Sequence, residues 1–380
     1  MQKPSTAESS SLPDEASRAA ADRVRDDDLD EIVAAVDAEL SAMSGAQLLI
    51  TGGAGFLGYY LVQAALRWND KGRGEPISIT VFDNYLRGAP GWLAALDGRP
   101  DLVLTRHDVR EPLAPGAGPW EYVIHAAGIA SPTVYRSRPL EMMDANVNGL
   151  RFLLDASSGW DLKGFLFFSS SEIYGDPVPD AIPTPETYRG NVSCTGPRAC
   201  YDESKRYGET LCVTFAGMGL PVSIARPFNN YGPGMKITDG RVIADFSRNV
   251  VRGEDIVMYS DGSPRRTFCY VADAVAGYYK TLIRGRPGEP YNIGVEGPEI
   301  SMLELAELIV AVGADTIGYR GEVVRRVHTE ANYLVDNPNR RCPDITEART
   351  ELGYAPQVSL RDGLRRTLVW YAGQPAAAEG

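Results

Sequence analysis

Residues 51–58 read Thr-Gly-Gly-Ala-Gly-Phe-Leu-Gly, directly after the apolar run Gln47–Thr51 and at the head of a helical stretch, Phe56–Trp68. Glycines in this spacing, between a strand and a helix, leave few folds open. Gly52 permits a tight turn, Gly55 clears the approach to backbone amides at the positive end of the helix, and Gly58 lets helix and strand pack closely. The amides of Phe56 and Leu57 then face whatever anionic group lies over the turn. The unit predicts the first βα step of a parallel sheet.

The residues that follow alternate as such a sheet requires. Strands are expected at Ser78–Phe82, Leu102–Thr105, Val123–His125, Phe165–Ser169 and Val222–Ala225, with helices at Leu140–Ser157 and Tyr201–Ala216. The expected fold class is α/β, a Rossmann-type doubly wound parallel sheet with a smaller C-terminal substrate-binding portion. Residues 46–228 form the nucleotide-binding domain. Residues 229–380 are mainly the substrate-binding portion, looser and interleaved with the sheet, with helices at Asp273–Ile283 and Ser301–Val312. Residues 1–45 are an acidic extension: 1–27 read as disordered, and Leu29–Met43 as one amphipathic helix that docks on the body or on a partner.

A glycine turn gains meaning from the acid that follows it. Asp83 ends the second strand, 25 residues after Gly58. There it accepts both hydroxyls of an adenosine ribose and repels a 2′-phosphate, which favours NAD over NADP, or else it is a turn residue before Asn84. Asp108 and Val109 end the third strand, where Asp108 reaches an adenine amine or closes a turn. Ala126 follows the fourth strand as a further cofactor contact.

Tyr201 and Lys205 stand four residues apart and share one helix face. A tyrosine is a poor base at neutral pH, and a neighbouring ammonium is expected to lower its pKa. The same lysine can bond the nicotinamide ribose. Ser169-Ser170-Ser171-Glu172 ends the fifth strand, at the sheet edge where ligands bind in such folds, and a serine there can hold the substrate oxygen near Tyr201.

With these elements in order, the chain resembles the extended short-chain dehydrogenases/reductases that act on nucleotide sugars, over residues 46–372. It is most similar to the branch that decarboxylates UDP-glucuronate to UDP-xylose. Ser170-Ser-Glu-Ile-Tyr-Gly-Asp176 resembles that branch's T-S-E-V-Y-G-D. Gly190-Asn-Val and Gly196-Pro-Arg-Ala-Cys-Tyr-Asp-Glu-Ser-Lys-Arg206 resemble its G-N-V and G-P-R-x-C-Y-D-E-x-K-R. Asp239-Gly-Arg-Val242, Arg266-Thr-Phe-Cys-Tyr-Val271 and Pro343-Asp-Ile345 resemble its D-G-R-V, R-x-F-x-Y-V and P-D-I. The 4,6-dehydratases of the group carry Asp-Glu where this chain has Ser171-Glu172, and serine is a poor proton donor to a departing hydroxyl. Many epimerases carry R-D-F where it has Arg266-Thr267-Phe268. Three departures from the decarboxylase pattern stand out: Gly234 replaces an arginine after Pro233, Ala126–Ser131 is longer and more generic, and Arg265 adds a second cation.

The resemblance implies oxidation at C4 of the sugar by NAD, loss of carbon dioxide and return of the hydride, with Tyr201, Lys205, Ser170, Glu172 and Arg266 as catalytic residues. Glu172 acts as a protonated acid or orients its loop. Arg266 pairs the sugar carboxylate or the diphosphate. Ser171, Asn229 and Arg241 contact the substrate, and Tyr231 or Tyr270 stacks on uracil or is a packed aromatic. A homodimer through the helices at 140–157 and 201–216 is expected. The alternatives are a 4-epimerase or 4,6-dehydratase, an oxidative decarboxylase that releases the keto sugar, and a non-catalytic NAD-binding protein.

Composition excludes other classes. The 380 residues carry a net charge of −12, so there is no basic footprint for nucleic acid. Residues 1–45 hold 11 acidic and 4 basic side chains, a net of −7, leaving −5 for the rest. No apolar run approaches the length of a membrane span, and no secretory signal opens the chain. The five cysteines, Cys194, Cys200, Cys212, Cys269 and Cys342, form no C-x-x-C pair and only three histidines accompany them, so no metal site is expected. Unpaired thiols fit a cytoplasmic protein.

Overall fold

A computed structural model describes residues 13–326 and 338–374. Seven strands build its central sheet: β1 Gln47–Thr51, β2 Ser78–Asp83, β3 Leu102–Arg106, β4 Tyr122–His125, β5 Gly164–Phe168, β6 Val222–Pro227 and β7 Pro290–Ile293. They lie in the order β7-β6-β5-β4-β1-β2-β3, with every neighbouring pair parallel. Successive strands run outward from β1 to β3, then resume on its other side at β4. The connections diverge between β1 and β4 and leave a crevice at the carboxyl ends of the strands. There Thr51 is in register with His125, which sets the glycine turn beside Ala126. All five residues of β5 are buried, as expected of an apolar run covered on both faces.

The principal helices are α1 Glu15–Ala35, α2 Phe56–Asp70, α3 Ala199–Gly217, α4 Val271–Arg284, α5 Met302–Ile317 and α6 Leu360–Ala372. The expected helix at Leu140–Ser157 is not uniform. Residues 139–144 and 150–157 are α-helical, and Ala145–Gly149 form a π turn between them, an irregularity that concentrates at functional sites. The loose C-terminal portion returns to the main sheet through β7, which pairs with β6. A short three-stranded sheet, Ile300–Ser301, Arg265–Arg266 and Arg340–Arg341, stands apart from it.

The N-terminal extension departs from expectation. Residues 15–27, read as disordered, are helical: Asp14 caps α1 by accepting from the Ser17 amide at 2.7 Å, and Ala21 and Val24 are buried. Residues 1–12 lie outside the described residues. Leu29, Ile32, Val33, Val36, Leu40 and Met43 all join the main core, so the segment docks on the body of its own chain. Two buried acids fasten it. Asp28 accepts hydrogen bonds from Tyr60, from Tyr270 at 2.6 Å and from Arg366 at 2.7 Å. Glu39 pairs with Arg284 at 2.5 Å and Lys280 at 3.4 Å. Acidic composition hid these anchors, because Asp28 and Glu39 have their partners far away in sequence.

Candidate active site

A cleft of about 380 Å³ opens over the carboxyl ends of β1, β4 and β5. The glycine turn forms its floor. Gly52 has φ of 73°, and a β-carbon there would lie 2.7 Å from the Ala127 backbone. At Gly58 a β-carbon would lie 2.2 Å from the Gly53 carbonyl oxygen. Both positions therefore exclude any side chain. Asp83 accepts from the amides of Ala54 at 3.0 Å and Tyr85 at 2.7 Å. Burial raises its pKa against the pull of those amides. Gly55, Phe56, Leu57, Asn84, Asp108, Val109 and Ala126 line the same cleft. Asp108 is engaged by Arg110 at 2.7 Å and by Asn84 at 3.1 Å, and the Arg110 hydrogen bond chiefly holds its pKa down.

Tyr201, Lys205, Ser169, Ser170 and Ser171 enter the opposite wall. Lys205 is buried and donates to the Phe168 carbonyl at the end of β5, at 2.7 Å. Its ammonium lies 6.0 Å from the centre of the Tyr201 ring. Burial lowers the lysine pKa to about 8. The expectation that the ammonium lowers the tyrosine is not met: burial pushes Tyr201 up to about 12, although the Ser170 hydroxyl that bonds it pulls the other way. Desolvation of the buried phenol dominates, and the Lys205 ammonium is directed at the Phe168 carbonyl.

Of the two readings of Glu172, a protonated acid or a loop-orienting carboxylate, its surroundings without substrate match the ionised one. Arg341 grips both carboxylate oxygens, at 2.8 and 2.6 Å, and Arg198 adds a contact at 2.6 Å. Burial favours the acid, but the charges of Arg341 and Arg198 outweigh it and hold the group ionised, with its pKa lowered. Arg266 is not among the residues lining the cleft. It donates to the carbonyls of Pro338 at 2.6 Å and Arg265 at 2.8 Å, and Arg341, two residues before Pro343, stands in the place beside Glu172.

Asn229 and Arg241 do line the cleft. Asn229 has a positive φ of 44° and donates to the Thr267 carbonyl at 2.8 Å. Arg241 is tied to the buried Asp239 at 2.5 Å and lies over the Phe56 ring at 5.2 Å. Tyr231 does not reach the cleft. It is 1% exposed with its hydroxyl on the Leu360 carbonyl, and Tyr270 is equally buried against Asp28, so both are packed aromatics. Tyr135 and Asn146 escaped the sequence. Tyr135 stacks on Tyr201 with ring centres 5.3 Å apart. Asn146, in the π turn, donates to Ser204 at 2.9 Å and leaves its Oδ1 buried without a partner. Among the described residues no cluster of metal-ligating side chains occurs, and no helix is long and apolar enough to cross a membrane.

Residues 48–294 match the family model described as the NAD dependent epimerase/dehydratase family. The chain belongs to that family. It is 39% identical over 322 residues to UDP-glucuronic acid decarboxylase 5 of Arabidopsis thaliana, covering 84% of this chain and 88% of that one. It is 35% identical to UDP-glucuronic acid decarboxylase 1 of Xenopus tropicalis, over 87% of this chain and 73% of the relative. Among solved structures it resembles DesIV, a dTDP-glucose 4,6-dehydratase from Streptomyces venezuelae with NAD bound. The TM-score is 0.73 at 27% identity, covering 86% of this chain and 96% of that one. The cleft of this family member suits NAD: glycines that admit no side chain, an amide-bound Asp83 and a helix N-terminus meet on one wall.

Proposed function

We propose that this protein is a decarboxylase of UDP-glucuronate, forming UDP-xylose through a 4-keto sugar and regenerating its NAD in the site. The observation that carries this reading is the meeting of Tyr201, Ser170 and Lys205 with the glycine turn in one cleft. An arginine-bound Glu172 stands beside them, and a serine, Ser171, occupies the dehydratase aspartate position.

Tyr201, once its own proton has passed to solvent, accepts the proton of the sugar 4-hydroxyl, and Ser170, bonded to the phenol, holds the same oxygen. NAD, which the glycine turn and Asp83 would hold, would supply a reversible hydride acceptor at C4 and a positively charged ring. A carboxylate at C5 is then β to a ketone and leaves as carbon dioxide, with the electron pair delocalised onto the C4 oxygen. Tyr201 and Ser170 are the donors that stabilise that oxyanion. Asn229 and Arg241 are assigned to the nucleotide diphosphate side. Arg266 is assigned a supporting role, because its guanidinium fastens the Pro338–Asn339 backbone that leads to Arg341.

Incubation with UDP-glucuronate and mass analysis of the product tests this directly. Loss of carbon dioxide without net cofactor reduction is expected. An unchanged mass with a new, chromatographically separable isomer would establish an epimerase instead, and a released keto sugar with reduced cofactor an oxidative decarboxylase. Glu172→Gln is expected to leave cofactor reduction intact while slowing carbon dioxide release. A cytoplasmic homodimer is part of the proposal. Leu140 at 73%, Tyr207 at 51% and Val213 at 52% exposure sit on the two helices expected to pair. Light scattering that finds only monomer would remove the dimer.

A further inference from the structure

We propose that Arg198 and Arg341 are the seat of the sugar carboxylate, and that Glu172 is the internal anion with which this carboxylate exchanges. The inference rests on the UDP-glucuronate reading and adds specificity-determining residues to it. Charge is the first observation. Arg198 and Arg341 are 9% and 8% exposed, and among the described residues Glu172 is the carboxylate that bridges the two. The next acid, Asp202, has its pKa raised by burial and by the charge of Glu172. A buried surplus of guanidinium is costly and is relieved by an anion.

Geometry is the second. The Arg341 fork holds a carboxylate through two parallel bonds, an arrangement any carboxylate satisfies equally well. The Nε atoms of Arg198 and Arg341 and the hydroxyl of Tyr135 are buried and lack hydrogen-bond partners, while all three residues line the cleft. Such donors stand ready for a ligand. Asp202 Oδ1 is also buried without a partner, but Asp202 does not line the cleft. Position is the third. Tyr135 stacks on Tyr201, and the Glu172 amide donates to Ser170 Oγ at 3.2 Å. The seat therefore adjoins the reacting phenol, as C5 adjoins C4. Once the sugar takes the arginines, Glu172 loses the charges that keep it ionised and becomes a group able to carry a proton.

The test measures binding by calorimetry on NAD-loaded protein carrying Tyr201→Phe, so that turnover does not intervene. The ligands are UDP-glucuronate and UDP-glucose, which differ at the carboxylate. Arg341→Gln should lower the glucuronate-to-glucose affinity ratio roughly ten- to a hundredfold, the scale of hydrogen bonds to charged groups. Glu172→Gln, nearly isosteric, should raise that ratio by about tenfold. Equal weakening of both ligands by Arg341→Gln, or a lower ratio in Glu172→Gln, would overturn the exchange while leaving the substrate reading in place. Parent protein that binds both ligands equally, with unmutated protein that releases no carbon dioxide, would overturn both.

Discussion

Asp28 is an acid at the centre of a hydrophobic contact, and its titration should be measurable as stability. Its side chain is 0% exposed, held by Tyr60, Tyr270 and Arg366 between α1 and the body. Burial raises its pKa to about 6 from 3.8, with the Tyr270, Tyr60 and Arg366 hydrogen bonds opposing the rise. Below pH 3.8 the folded and unfolded chains both carry the proton, and the group contributes no pH dependence. Between about pH 4 and about pH 6 the unfolded chain releases it first, so the folded state loses stability as pH rises. A shift of roughly two units corresponds to about 3 kcal/mol. Asp28→Asn cannot titrate, and Arg366 keeps Glu31 at 2.7 Å and Asp362 at 2.8 Å as partners. Urea unfolding of both proteins at several pH values isolates the effect, because every other titrating group cancels in the difference. The variant should gain about 3 kcal/mol on the parent between about pH 4 and about pH 6.5, and the curves should run parallel above that. A difference constant to within about 1 kcal/mol across the range would refute a raised pKa at this site.

Three further outcomes follow from the cleft. Gly58→Ala forces a β-carbon to 2.2 Å from the Gly53 carbonyl oxygen; the shift of the turn should cost about 1–3 kcal/mol, seen as a lower Tm and weaker NAD binding in calorimetry. Asp83→Ser removes the carboxylate proposed to face the ribose, and the preference for NAD over NADP should fall by about tenfold or more in paired binding titrations. Tyr201→Phe should slow turnover by about 10²–10⁴-fold while NAD is retained on gel filtration.

What could be read from the sequence divides along a physical line. The glycine turn, Asp83, Tyr201 and Lys205 belong to local units, a strand–turn–helix and one helix face, whose geometry follows from spacing. The seven-stranded sheet followed from the same alternation, apart from β7, whose four residues carry a proline and a polar asparagine. Arg341 could not be placed that way. It lies 169 residues from Glu172, and long-range contacts bring the two together, among them Asn339 with Asp176 and the bridge of Thr184 with Pro343. Arg198 was nearer to hand, three residues before Tyr201 on the same face of a helix start. For Tyr231 and Tyr270 the sequence left stacking on uracil and core packing both open, because an aromatic near a binding motif has the same appearance whether it faces a ligand or the core. The extension misled for a related reason: acidic composition suggests a solvated chain unless the arginines and tyrosines that receive those acids are known.

Tyr201 and Lys205 make opposite demands, and pH separates them. Burial holds the phenol protonated up to about pH 12, so its own ionisation lies outside any working range and would raise the rate rather than lower it. The same burial brings Lys205 down to about 8, partly countered by Cys212 and Glu209. Above that value Lys205 loses the charge with which it is proposed to bond a ribose hydroxyl. The value of kcat/KM should therefore fall above about pH 8, with a slope set by one proton. Lys205→Arg keeps the charge at any accessible pH. It should react more slowly, because the guanidinium does not fit the Phe168 carbonyl as the ammonium does, yet its alkaline limb should disappear or move up by more than one unit. An unchanged limb in Lys205→Arg would assign the titration to another group and remove the lysine's charge from the rate-determining chemistry.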